Sequence, residues 1–422
     1  MALLNWKENL SGGVVAPDER LSYGATAVMG LQHVIAMFGA TVLAPILMGF
    51  DPNIAILMSG VGTLIFFFLV GGKIPSYLGS SFAFIGVVIA ATAYAGKGPN
   101  PNLAVALGGI VACGAAIVAV GLIVKAIGVG WIEKLMPPVV TGAVVAVIGL
   151  NLAGIPIKNM APTSFDAWMQ AVTFVSVGLV AVYTKGLMQR LLILVGLIVA
   201  SIIYLILTNG LGMGKPMDFS GIANAAWFGM PKFVAPVFDG NAMLLIVPVA
   251  IILIAENLGH VKAVSAMTGR NLDQSMGNAF IGDGVATMVS GSVGGTGQTT
   301  YAENIGVMAA TKIYSTLIFV VAGIIAIILG FSPKFGALIQ AIPLAVMGGI
   351  SIVVFGLIAI AGAKIWVDNK VDFSDNTNLI VAAVTLVLGT GDYTLKFGGF
   401  TMGGIGTATF GAILLYALLR KR

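Results

Sequence analysis

Between residues 25 and 418 the chain is a near-continuous succession of apolar stretches, and this limits its possible folds more than any other feature. Cutting at polar and Pro/Gly-rich breaks yields about fourteen: 25–49, 54–71, 80–93, 103–126, 138–154, 168–184, 190–208, 242–260, 278–293, 302–311, 313–331, 342–363, 376–390 and 399–418. A helix needs roughly twenty apolar residues to cross a hydrocarbon core of about 30 Å, and most of these stretches suffice. Only 9% of the residues are charged, where a soluble domain carries roughly 25%. The expected fold is an all-α polytopic membrane protein with the lipid bilayer as its solvent. Its net charge of +5 comes from basic residues scattered through loops, so no nucleic-acid partner is expected.

Two segments, 80–93 and 302–311, are too short to span, and each follows a run of glycine and hydroxyl residues. They echo one another. Ser80-Ser81-Phe82-Ala83 leads to Ile85-Gly86-Val87-Val88, and Thr299-Thr300-Tyr301-Ala302 leads to Ile305-Gly306-Val307-Met308. Pro137 and Gly142 likewise recur 206 positions on as Pro343 and Gly348, and Gly149-Leu150 recurs as Gly356-Leu357. The echoes predict two seven-segment repeats, the second upside down relative to the first, with interrupted segments at matching positions marking a binding site. The expected organisation is a cytoplasmic segment 1–24, a first repeat 25–208, an ordered external linker 209–241, a second repeat 242–418 and a cytoplasmic tail 419–422.

Basic residues set the orientation. With the amino terminus inside, fifteen Lys and Arg fall on the cytoplasmic side. Six fall outside: Lys97, Lys158, Lys215, Lys232, Lys334 and Lys396. Both termini are therefore expected in the cytoplasm. The first twenty residues lack the pattern of a signal peptide. Cys113, the single cysteine, allows no internal disulfide or Cys-rich metal site and is expected to pack in its helix.

Nearly all carboxylates fall in loops; Glu256 and Glu303 do not, and no Lys or Arg nearby neutralises either. A charged group at membrane depth costs about 2.5–3.5 kcal/mol on insertion scales, and it faces a cavity or a partner. Glu303 sits in VGGTGQTTYAENIGVM, where glycines and threonines interrupt the helical pattern. Irregular backbone at that depth survives only where protein or a watery cavity covers it. Glu256 and His260 are four apart and share a helix face. His33 is expected to bond a neighbouring carbonyl, and Asp283 to be structural or interfacial. A carboxylate beside broken backbone suits a flat amide-like solute, because the acid accepts ring N–H groups and free backbone N–H groups donate to ring carbonyls. Phe82 and Tyr301, at matching points of the repeats, are placed to sandwich such a ring.

QHVIAMFGATVLAPI (32–46), GKIPSYLGSSFAFI (72–85), AENLGH (255–260) and TTYAENIGVMAATKIYS (299–315) resemble the bacterial uracil permeases of the nucleobase–ascorbate transporter family, and the likeness runs from about residue 15 to 418. VVAPDER, LMPPVVTGAVV and GGFTMGGIGTATFGAILLYAL are most similar to the pyrimidine permeases of uracil catabolism within it. The resemblance implies fourteen segments in two inverted repeats, core and gate domains, and short strands before the half-helices. It implies proton symport of uracil into a bacterium across the inner membrane, the proton being the coupling ion and no cofactor being needed, by a homodimer. It also implies that Glu256 and Glu303 bond the pyrimidine, that backbone amides of Phe82 and Ala302 meet its carbonyls, that His260 takes part in proton coupling, and that Ala40 and Tyr301 line the site. Two departures stand out: Ala302 replaces a glycine and adds a methyl beside the base, and Lys312 replaces an arginine.

Other readings fare worse. ENLGH is not the HExxH zinc motif, and the Gly-rich run 291–300 lacks the lysine of a phosphate loop, so an intramembrane enzyme is disfavoured. No ring of repeated polar residues suggests a channel. An anion carrier on the same plan would need one of the two acids protonated, which leaves a purine such as xanthine as the chief competitor to a pyrimidine.

Overall fold

The computed structural model describes residues 4–9, 13–96, 98–397 and 400–420. Lys97, Lys421 and Arg422, three of the residues used for orientation, lie outside the described residues, as do parts of segments 1–24, 399–418 and 419–422. The first half holds α1 (Tyr23–Met48), α2 (Pro52–Leu69), strand β1 (Leu78–Ser80), α3 (Phe84–Thr92), α4 (Leu103–Ile127), α5 (Pro138–Leu152), α6 (Ser164–Tyr183) and α7 (Leu192–Leu205). The second holds α8 (Val249–Thr268), α9 (Met276–Val293), strand β2 (Gln298–Thr300), α10 (Ala302–Thr311), α11 (Thr316–Gly330), α12 (Leu344–Asp368), α13 (Asn376–Thr390) and α14 (Gly404–Leu419). Short helices such as Gly240–Ile246 and Pro333–Gln340 connect them.

By length and composition, eight helical runs among the described residues can cross a membrane, or nine if Thr316–Gly330 and Pro333–Gln340, bent by 82°, form one span. The other segments fall short for physical reasons. α9 carries Asn278, Asp283 and several glycines and serines, α13 and α14 are brief, and α3 and α10 are half-helices. Both half-helices end on a non-glycine residue in the left-handed region, Ala93 at φ 51° and Lys312 at φ 56°.

Every major packing in one half has its counterpart in the other when each helix is exchanged with the one seven places on. α4 packs on α9 as α11 packs on α2; α6 packs on α12 as α13 packs on α5; α6 and α7 pair as α13 and α14 do. Two bodies result. α1–α4 interleave with α8–α11, and α5–α7 interleave with α12–α14. The echoed prolines, Pro137 and Pro343, both occupy the cap position of their helices, α5 and α12.

Small residues permit this contact, since lipid supplies no hydrophobic drive between helices. A Cβ on Gly60 would lie 2.4 Å from the Gly323 carbonyl, where α2 crosses α11. A Cβ on Gly114 would lie 2.7 Å from the Gly284 carbonyl, at the equivalent crossing of α4 and α9. Cys113 is buried on the same helix.

The linker between the halves is ordered by bonds to helix ends: Val234 N–H reaches Val293 O at 3.2 Å, Val237 N–H reaches Ala104 O at 2.8 Å, and Lys334 lies over the Trp227 ring. On the opposite face the amino-terminal segment straps the molecule. Val15 pairs with Ile313, Trp6 Nε1 donates to Thr316 Oγ1 at 2.9 Å, and Asp18 pairs with Arg270.

Candidate functional site

The two interrupted segments meet each other. β1 and β2 form an antiparallel ladder pairing Leu78 with Thr300, Gly79 with Thr299 and Ser80 with Gln298. Ser81 N–H extends it to Gly297 O at 2.9 Å, and Tyr301 N–H extends it to Tyr77 O at 3.0 Å. Backbone that leaves the helical pattern inside a bilayer must find partners in protein, and here each segment serves the other. The outer edges are closed by threonines at equivalent places. Leu78 N–H donates to Thr63 Oγ1 on α2 at 2.9 Å, and Gln298 N–H donates to Thr287 Oγ1 on α9 at 3.0 Å.

From this ladder α3 and α10 run off in opposite directions, so both helix N-termini start at the junction. Neither has a side-chain cap. The backbone N–H groups of Phe82 and Ala302 bond no protein group among the described residues, and they stand where the positive ends of the two helix dipoles converge.

Glu303 lies in the first turn of α10. Glu256 projects from α8 and its Oε2 accepts from Thr299 Oγ1 at 3.3 Å. The two carboxylates are near enough for the charge on one to act on the other. Among the described residues no Lys, Arg or His pairs with either. One turn beyond Glu256, His260 Nδ1 lies 2.8 Å from Thr300 Oγ1.

The remaining expected site residues take distinct places. Ala302 and Glu303 line a cavity of about 320 Å³ between the two bodies, together with Ala36 and Gly39 of α1, Leu192 of α7, and Val354 and Ala361 of α12. Phe82 sits at the same seam, edge-on to Phe355 of α12 at 5.9 Å. Tyr301 is buried, its ring 6.3 Å from Tyr77, so it and Phe82 have separate ring partners. Ala40 is buried in α1. His33 is buried, and Asn304 Nδ2 lies 3.0 Å from its ring Nδ1 and donates to its backbone carbonyl at 3.0 Å; the carbonyl expected as the ring's partner is replaced by this amide. Asp283 is buried against Asn257.

A second crevice lies at the position that exchange of the halves would give the first. Val87 of α3, Leu245, Ile252 and the start of α14 (Ile405, Gly406) line it, and it holds only about 20 Å³. One seam between the bodies is open and its counterpart is shut.

Sequence reasoning passed over Thr299, Thr300, Asn304 and Thr41. The pair of hydroxyl residues directly before Tyr301 was visible as half of the echo, but which helix they face depends on the tertiary fold.

Residues 24–397 match the Permease family Xan_ur_permease. The chain is 68% identical over 410 residues to RutG of Escherichia coli (strain K12), which bears a pyrimidine-permease name, covering 97% of this chain and 93% of that one. It is 41% identical to the uracil permease of Bacillus caldolyticus, covering 96% and 94%, and 37% identical to the uracil permease of Escherichia coli (strain K12), covering 96% and 94%. Among solved structures, the transmembrane domain of the cyanobacterial bicarbonate transporter BicA superposes with a TM-score of 0.65 at 16% identity, covering 88% of this chain and 97% of that one. The murine anion transporter Slc26a9 superposes with a TM-score of 0.69 at 13% identity, covering 96% and 69%. At those identities the likeness concerns the fold alone. The matching fold, the paired interrupted segments and the near-full-length relatives lead to one conclusion: the chain belongs to the Xan_ur_permease permease family, the nucleobase–ascorbate transporters, and not to a family of enzymes.

Proposed function

We propose that the protein carries uracil with a proton into a bacterial cell across the cytoplasmic membrane, by alternating access. The observation that carries this reading is the pair Glu256 and Glu303, free of ion pairs among the described residues: Glu303 follows the open N–H of Ala302 at the start of α10, and Glu256 is bonded to Thr299 on the strand that leads into it. A pyrimidinedione presents N–H donors and carbonyl acceptors around one plane. Two carboxylates and two amides complement that pattern. The relatives named uracil permease support the choice of base. Ala302 adds weight, since its exposed methyl beside Glu303 leaves less room for a bicyclic purine than for a pyrimidine.

Loading begins with a proton and neutral base arriving from outside. Glu256, Glu303 and His260 share the proton, and Ala40 and Tyr301 complete the walls. The body of α5–α7 and α12–α14 then shifts against the other, closing one seam as its counterpart opens. The open crevice leads toward Leu192 and Ala361, on the side where the amino-terminal strap and the last turn of α14 lie, which is the cytoplasmic side in this reading. The functional unit is a homodimer. An anion substrate is disfavoured by two adjacent carboxylates.

Uptake of labelled uracil into proteoliposomes under an inward proton gradient is the test. It should vanish with an uncoupler, and fall about 10- to 100-fold in Glu256→Gln and in Glu303→Gln, since each exchange replaces a charged acceptor. Undiminished uptake in both variants refutes the assignment. Thymine should compete with the label and xanthine should not.

A further inference from the structure

We propose that Thr299 and Thr300 are positioning residues that hold Glu256 and His260 in register with the half-helix α10. The inference rests on the reading of Glu256 as a ligand of the base. Thr299 Oγ1 donates to Glu256 Oε2 at 3.3 Å, and the next hydroxyl along, Thr300 Oγ1, lies 2.8 Å from His260 Nδ1. Glu256 and His260 are one turn apart on α8, so two adjacent strand residues meet two stacked helix residues. Both threonines are at most 2% exposed, so bulk water does not compete for these bonds.

Their origin is fixed. β2 is held by β1 on one side, and Gln298 is held to Thr287 on the other. The same strand runs without interruption through Tyr301 into Ala302 and Glu303. The strand thus acts as one ruler for both carboxylates and the imidazole. A glutamate with three side-chain torsions would otherwise sample several rotamers. The hydroxyl of Thr299 selects the rotamer whose free oxygen meets the base. Thr300 fixes the imidazole ring, leaving Nε2 as its other polar atom.

Two measurements decide this. In purified full-length protein, Thr299→Val should weaken equilibrium uracil binding by about tenfold, the value of a hydrogen bond to a charged group. Thr299→Ser, which keeps the hydroxyl, should stay within about twofold of wild type. The chain has only 2 histidines, so protein labelled with ¹⁵N-histidine gives two sets of ring signals. Thr300→Val should move the His260 set and leave the His33 set in place, while Thr300→Ser should move neither. Wild-type affinity in Thr299→Val, equal losses in the Val and Ser variants, or unmoved histidine signals in Thr300→Val would overturn the proposal. Wild-type protein that binds no uracil would instead overturn the substrate reading, and the histidine spectrum, recorded without substrate, would still decide the positioning role.

Discussion

The phenol of Tyr301 donates to the carbonyl of Ser80 at 2.9 Å, joining residues 221 positions apart. The same oxygen accepts from Thr41 Oγ1 on α1 at 3.0 Å. Tyr301 therefore crosses the ladder and pins both interrupted segments to α1. Gly79 makes the crossing possible, because a Cβ there would stand 2.5 Å from the ring Cζ and 2.7 Å from Thr41 Oγ1.

Gly79→Ala should accordingly lower stability by about 1–3 kcal/mol, the usual cost of overpacking. Gly86→Ala is the control, since its new methyl would meet nothing closer than 3.6 Å. Tyr301→Phe should lose about 1–3 kcal/mol by stranding the buried Ser80 carbonyl. Thermal unfolding in detergent would show the order. A Gly79→Ala protein as stable as Gly86→Ala would mean the ring does not sit against the strand.

The unequal seams predict unequal chemical access. Cys113 is the one cysteine and is buried, so introduced cysteines can be read directly. Ala361→Cys, in the open crevice, should react with a polar maleimide at least about tenfold faster than Ile405→Cys in the shut one, if the alternative state is populated at about 10% or less. Equal rates in substrate-free protein would contradict the asymmetry.

The amino-terminal strap should loosen in acid. Burial raises the Asp18 pKa, but the bond from Arg270, a backbone bond and the charges of Arg270 and Lys7 outweigh it and hold the group below the ordinary aspartate value of 3.8. A depressed carboxylate stabilises the folded form fully above the unfolded value, and that contribution is lost as pH falls through the folded one. Hydrogen exchange at Val15, whose N–H bonds Lys312 O at 3.1 Å, should therefore stay protected from pH 7 down to about 4 and rise below it, after correction for the intrinsic rate. Asp18→Asn should show the raised exchange at every pH. Unchanged protection in that variant would mean the ion pair does not hold the strap.

Much of this architecture is legible in one dimension, because lipid imposes simple rules. Segment lengths follow the bilayer thickness, and the unneutralised acids Glu256 and Glu303 stand out against an apolar background. The echo between Ser80-Ser81-Phe82 and Thr299-Thr300-Tyr301 located the break in each half, and the ladder joins the chain at those places. Tyr301 shows the limit: its place beside the carboxylate is legible, whereas the engagement of its hydroxyl by Ser80 and Thr41 is not, because no local pattern connects those residues to it.

The sequence by itself determined the succession of apolar segments, the paired interruptions and the two unneutralised acids, since each follows from local composition against a solvent of known thickness. Tertiary structure alone decided that the two breaks pair with one another, that consecutive threonines face Glu256 and His260, and that one seam stands open while its counterpart is closed. Those are relations between surfaces brought together from opposite ends of the chain. The same local pattern is compatible with several partners, and only the packing of two whole bodies selects among them.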